Sequence, residues 1–157
     1  MKQYEAVIFT LEKLGGVATL GELNHEVFKI KDCEWKTKTP FASIRRIVQQ
    51  RKEIYKIKPG LYGLEQFRKE NELKGIIQED EKNKDSEEMI KSNHSYYQGL
   101  LLEIGNLKKL DTFNPNQDKN KNFSNKKLGN IRSLDKIPQF SYSEIINRTS
   151  TIDVIWF

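Results

Sequence analysis

Between Lys36 and Lys58 the chain carries eight basic residues, Lys36, Lys38, Arg45, Arg46, Arg51, Lys52, Lys56 and Lys58, against one acid, Glu53, a net charge of +7. Arg45 and Arg46 lie close to Gln49 and Gln50. Guanidinium groups match the acceptors of guanine, and carboxamides match adenine, both on major-groove base edges. Lysines neutralise phosphates and release counterions, so binding of this kind weakens steeply with salt. A second chemical group stands near the other end of the chain. Asp153 is the one carboxylate in the run Thr151-Ile152-Asp153-Val154-Ile155-Trp156-Phe157, which is otherwise rich in β-forming residues and reads as a buried strand. Burying an ionised carboxylate without a partner is costly. Either Asp153 sits at a strand edge, paired with a base or capping a turn, or it binds Mg²⁺ beside a phosphodiester.

Other chemistry is not legible. Cys33 is the only cysteine, which rules out a disulfide within the chain and reads as an inert small side chain in a reducing compartment. His25 and His94 are far apart and lack metal-ligand spacing. Gly15-Gly16 reads as a helix stop rather than a phosphate-cradling loop. No apolar run approaches the ~20 residues that a membrane helix needs. The expectation is a cytoplasmic protein without a membrane partner.

The basic residues need elements to hold them. Tyr4, Val7, Ile8, Leu11 and Leu14 recur at helical spacing and end at Gly15-Gly16. Val17-Ala18 is a short extended step. Thr19-x-x-Glu22 is a capping box, which opens a second helix with Leu20, Leu23, Val27 and Ile30 on one face. Thr39 and Pro40 open a third helix, with Thr39 as N-cap and Pro40 at the first helical position. Phe41, Ile44, Ile47 and Val48 form its apolar face, leaving Ser43, Arg45, Arg46, Gln49 and Gln50 mainly on the other side. Trp35, before this helix, reads as a core or lid residue rather than a base-stacking platform. After Lys52 the period changes to two. Tyr55 and Ile57 alternate with Lys56 and Lys58, Lys58-Pro59-Gly60 turns the chain, and Leu61-Tyr62-Gly63-Leu64 returns, which predicts a β-hairpin.

The segments Leu14-Gly15-Gly16-Val17-Ala18-Thr19-x-x-Glu22-Leu23, Lys38-Thr39-Pro40-x-x-Ser43-Ile44-Arg45-Arg46 and Lys58-Pro59-Gly60-Leu61-Tyr62-Gly63-Leu64 resemble the HARE-type helix-turn-helix domain. That resemblance implies a winged helix-turn-helix over residues 1–66 that holds double-stranded DNA. The third helix and hairpin of such a domain meet the major groove and its phosphates. The DNA-binding residues are then Lys38, Thr39, Ser43, Arg45, Arg46, Gln49, Gln50, Lys56 and Lys58.

Residues 67–94 read as a helical extension followed by a flexible charged linker. Phe67, Leu73, Ile76 and Ile77 could line one helix broken at Gly75. The acidic stretch Gln78 to Glu88 offers too little apolar surface to order itself. Over residues 95–157 the periodicity resumes. Ser95-x-x-Gln98 reads as a helix start, followed by Tyr97, Leu100, Leu101 and Ile104, with Gly105-Asn106 as an interruption. Residues 114–130 read as a loop. Beyond it, Ile131, Leu134, Ile137-Pro138 and Phe140 supply apolar punctuation, and Ser141-x-x-Glu144 can cap a short helix through Ile145-Ile146.

Tyr97-x-Gly99-Leu100-Leu101-Leu102-Glu103-Ile104-Gly105, Asn116-x-Asp118-x-Asn120, Leu134-x-x-Ile137-Pro138 and Ile152-Asp153-Val154-Ile155-Trp156 resemble the N-terminal half of a PD-(D/E)XK restriction-type nuclease domain. The resemblance makes Asp153 the first catalytic and metal-binding carboxylate and Glu103 an assisting acid on the preceding helix. It requires a second carboxylate and a lysine on a following strand, and the sequence ends four residues after Asp153. The expectation is therefore an α+β chain: a winged helix-turn-helix of three helices plus a β-hairpin, followed by an incomplete α/β restriction endonuclease-like segment over residues 95–157. Such a chain binds DNA but does not cleave it alone. It needs no cofactor itself, although an intact nuclease would use Mg²⁺. An unfinished sheet edge would favour homo-oligomers through the C-terminal part. An alternative reading is a transcription accessory protein resembling the delta subunit of bacterial RNA polymerase, with the polymerase as partner. Such chains carry a strongly acidic tail, whereas residues 95–157 have a net charge of +3.

Overall fold

The computed structural model describes residues 1–139 and 143–157 and divides the chain into two compact units, Met1–Lys84 and Asp85–Phe157. Both mix helices with small antiparallel sheets, an α+β composition. Among the described residues no helix is long and apolar enough to cross a membrane.

In the first unit, helix α1 (Gln3–Lys13) buries Ala6, Val7, Thr10 and Leu11 and ends where Gly15 and Gly16 both take positive φ. That left-handed turn favours glycine, because a Cβ would crowd the backbone there. A Cβ on Gly16 would also lie 2.6 Å from the Phe67 ring. Strand β1 (Val17–Thr19) leads straight into α2 (Leu20–Glu26). The Thr19 hydroxyl accepts the Glu22 backbone N–H at 3.1 Å, and the Glu22 carboxylate accepts the Thr19 N–H at 2.8 Å. The capping box expected from the sequence is thus present.

Helix α3 (Pro40–Gln50) buries Ile44, Ile47 and Val48 against α1 and α2. Thr39 occupies the N-cap position, but its side chain makes no capping bond, a departure from the sequence reading. Its backbone N–H is taken instead by the Thr37 hydroxyl at 3.1 Å. Phe41, assigned to the apolar face, lies 57% exposed. Strands β2 (Ile54–Lys58) and β3 (Leu61–Leu64) form the hairpin, and β1 joins it to give the sheet order β1-β3-β2. The core collects Val7, Leu11, Ala18, Leu23, Val27, Ile44, Val48, Tyr62 and Leu64, with Trp35 packed partly buried against it. Cys33 is also buried there, and desolvation pushes its thiol pKa up.

Helix α4 (Arg68–Leu73) follows the hairpin and ends at Gly75, another residue at positive φ. Buried Asn71 donates from Nδ2 to the Tyr55 hydroxyl at 3.2 Å. Gln78 Nε2 donates to the Lys56 carbonyl at 2.9 Å, and the Glu79 N–H to that of Ile57 at 3.0 Å, so the chain after α4 runs along β2.

The second unit is organised by α5 (Glu87–Leu107). The helix starts nine residues before the expected Ser95, because Ser86 caps it by accepting the Met89 N–H at 3.2 Å. Ser95 lies within the helix and donates to the Lys91 carbonyl. Gly105-Asn106 does not interrupt it. Instead a Cβ on Gly105 would meet Thr112 at 2.5 Å and the Trp156 indole at 2.6 Å, so the glycine lets other elements approach. Strands β4 (Thr112–Phe113) and β7 (Ile155–Trp156) pair antiparallel across this face. Between them lie the hairpin β5–β6 (Asn122–Phe123, Lys126–Lys127), α6 (Leu128–Ile131) and α7 (Ser143–Thr149). Phe140 and Ser141, expected as apolar punctuation and a cap, fall outside the described residues.

The expected seven-residue terminal strand shrinks to Ile155–Trp156. The N–H groups of Ser150, Thr151 and Ile152 bond back to Ile146, Arg148 and Thr149 and close the end of α7. Backbone used to terminate a helix cannot extend a ladder. Asp153 consequently lies in an exposed bend before β7, not in a buried strand.

Candidate nucleic-acid interface and carboxylate site

Helix α3 turns its apolar stripe inward and leaves Arg45, Arg46, Gln49 and Gln50 exposed on the opposite side. Among the described residues neither Arg45 nor Arg46 has an ion-pair or hydrogen-bond partner within the chain. Lys38 and Thr39 are exposed just before the helix, Ser43 is half-buried, and Lys56 is exposed on β2. Arg51 is engaged differently, with its guanidinium 3.7 Å from the centroid of the Tyr4 ring. The result is a cationic surface on which, among the described residues, the Arg45 and Arg46 side chains are exposed and committed to no ion pair.

Lys58 does not belong to this exposed set. It is 4% exposed. Strict alternation would turn Lys56 and Lys58 to the same face. The β2–β3 register shifts between Lys56 and Lys58, so Ile57 and Lys58 both lie buried. Such a bulge places two residues against one and breaks the alternation. Desolvation lowers the Lys58 pKa to about 8, partly opposed by the Glu79 carboxylate.

A lysine whose folded pKa is depressed binds fewer protons in the folded than in the unfolded state between the two values. Stability therefore rises as pH climbs from about 8 towards the ordinary lysine value. The expected result is a denaturation midpoint that increases over this window beyond the trend of the Lys58→Met variant, which lacks the titrating group. Urea unfolding at pH 7.5, 9 and 10 checks it. Parallel pH profiles of the two proteins would contradict the assignment.

In the second unit, Gln98 is 2% exposed and faces the carboxylate region from α5. Its Nε2 donates to Asp118 Oδ2 at 3.0 Å and to the Asp153 backbone carbonyl at 3.1 Å. Asp118, itself buried, pairs through Oδ1 with Lys121 Nζ at 2.6 Å. Burial opposes ionisation of Asp118, but the bonds from Lys121 and Gln98 prevail and hold its pKa below the usual value. Asp153 thus has a pinned main chain and an exposed carboxylate, whose Oδ2 lies 3.4 Å from His94 Nε2.

The α5 residue beside Asp153 is therefore His94, not Glu103. Glu103 lies nine residues further along, about 13 Å along the helix axis. The sequence reading assigns neither His94 nor Gln98 to this site, because their place in it comes from contacts across 55 or more residues. Among the described residues no three His, Cys, Asp or Glu side chains gather where they could hold a metal ion. Asp118 is already committed to Lys121 and Gln98, whereas the Asp153 carboxylate is exposed and meets only the His94 ring among the described residues. This set does not by itself make a magnesium site, and no catalytic step through a metal is derived from it.

A family model described as the type II restriction enzyme NmeDI C-terminal domain matches residues 75–157. The match spans the whole second unit and the last ten residues of the first. No curated protein and no solved structure matches the chain.

Proposed function

The chain belongs to the family of the type II restriction enzyme NmeDI C-terminal domain, and from that premise we propose that it is a DNA-engaging part of a restriction-type endonuclease. Residues 1–66 are read as a winged helix-turn-helix of HARE type, with α3 entering the major groove and the β2–β3 hairpin lying along the flanking phosphates. The observation that carries this reading is the pair of exposed guanidinium groups of Arg45 and Arg46, beside Gln49 and Gln50. The order of three helices followed by a hairpin supports it. Lys38, Thr39, Ser43 and Lys56 are assigned to phosphate and groove-edge contacts, and Lys58 to the interior of the hairpin.

For residues 95–157 we retain the restriction endonuclease-like reading. Asp153 is proposed as the carboxylate that this chain contributes to a divalent-metal centre, because it is exposed on a main chain held by Gln98. Glu103 is not proposed for that centre, since its place on α5 is remote from Asp153. No observation favours the transcription-accessory reading.

Titration of the full chain with a 30-base-pair duplex over a KCl series tests the proposal. An electrostatic interface of four to six phosphate contacts gives a slope of log K against log salt of about −4 to −5. Absence of binding at low salt, or a slope near zero, would remove the DNA-binding reading.

A further inference from the structure

Helix α3 presents a second, uncharged feature on the same surface. Phe41, in its first turn, is 57% exposed, although a phenylalanine that served only the core would be covered. Its inner edge is braced. The Phe28 ring lies 5.7 Å away at an interplanar angle of 66°, and Phe28 in turn meets Trp35 at 5.4 Å and 66°. Trp35 packs against the core. The three rings form a buttress that fixes Phe41 while leaving its outer surface open.

The surroundings define the occupant. Arg45 is one helical turn after Phe41, so the two share a face. Lys38 precedes Phe41 by three residues, and both cations are exposed. An apolar ring framed by exposed cations fits a polyanion that carries an apolar group at the same depth as its hydrogen-bonding edges. In the major groove of duplex DNA that group is the 5-methyl of thymine. We propose that Phe41 reads thymine by packing its ring against this methyl group, with Arg45 engaging the neighbouring base or phosphate. The proposal rests on the reading of α3 as the groove-entering helix.

The test compares the full chain on an alternating dA–dT duplex with an alternating dA–dU duplex of the same length. The two differ only in the methyl group, and thymine at every second position removes the need to know a register. Fluorescence anisotropy at low salt is expected to show the dA–dT duplex bound about fourfold more tightly, the factor for covering one methyl-sized group. Phe41→Ala should bind both duplexes equally, at the level of the unaltered protein on dA–dU. Phe41→Leu should keep part of the preference. Far-ultraviolet circular dichroism verifies that the variants fold, as expected for so exposed a position.

Failure separates cleanly. Binding of both duplexes with equal affinity by the unaltered protein overturns the thymine assignment while leaving DNA binding intact, and so does a preference that survives in Phe41→Ala. An increase in 2-aminopurine fluorescence on binding would mean ring insertion between bases and would also overturn it. Loss of binding to both duplexes at low salt removes the underlying DNA reading instead.

Discussion

Replacing Arg45 and Arg46 together with alanine is expected to weaken duplex binding by the full chain about 100-fold or more at low salt. A good base contact is worth about 1–3 kcal/mol, and a phosphate contact contributes through the counterions it releases. Both side chains are exposed and, among the described residues, take no part in an ion pair. Their removal should therefore leave stability within about 0.5 kcal/mol, as for ordinary surface substitutions. Alanine also favours the helix. The loss can then be assigned to the interface rather than to unfolding. The single variants divide the roles. A phosphate-binding arginine lowers the salt slope by about one without changing sequence preference, whereas a base-reading arginine relaxes preference at one position. Unchanged affinity in the double variant, with the fold intact by circular dichroism, would remove α3 from the interface.

Gly99→Ala is expected to destabilise the second unit by about 1–3 kcal/mol, the range for forcing an atom into a filled core. A Cβ at position 99 would lie 2.2 Å from two atoms of the Phe123 ring and 2.9 Å from its Cβ. The ring cannot swing aside cheaply. Phe123 is 1% exposed and stacks on Tyr96 at 5.6 Å and 24°. Helix propensity acts in the opposite direction, since alanine in a helix interior is favoured over glycine by about 1 kcal/mol. The sign of the measured change therefore decides between close packing and local preference. Hydrogen exchange of the α5 amides in the full chain reads it without assuming a single unfolding transition. Adding Phe123→Leu to Gly99→Ala should recover part of the loss, although Phe123→Leu alone destabilises. A more protected α5 in Gly99→Ala would contradict the packing described.

The sequence and the structure agree where the determining interactions are local. Thr19 and Glu22 are three residues apart, and their reciprocal bonds are formed. The α3 stripe of Ile44, Ile47 and Val48 is buried as its spacing requires. They part where distant segments decide. Gly105 reads as a break until Thr112 and Trp156 are seen against it. The apolar run after Thr149 reads as one long strand, yet its first residues close α7 and β4 offers only two residues to pair. Lys58 reads as a surface cation because alternation cannot reveal a bulge in its own strand, which shows only in the pairing with β3. At the carboxylate site, Asp153 is identifiable as a charge among apolar neighbours. His94 and Gln98 are not, since a half-buried histidine and a mid-helix glutamine carry no local signal of what they touch. The basic surface is the most legible part. A charge cluster depends on composition over a short stretch and needs only one correctly placed helix to be displayed.

The pairing of Val17 with Gly63, Ala18 with Tyr62 and Thr19 with Leu61 has a consequence for how the first unit comes into being. A ribosome delivers β1 more than forty residues before the strand that pairs with it. Loop closure over such a separation must precede any reward from the contacts it enables. Until Leu64 has cleared the exit tunnel, the nascent segment can hold helices but not its sheet, and the hydrophobic side chains destined for that sheet await their cover. Completion of the three-stranded sheet, and with it the cover over the apolar faces of the helices, is thus timed by the arrival of β3.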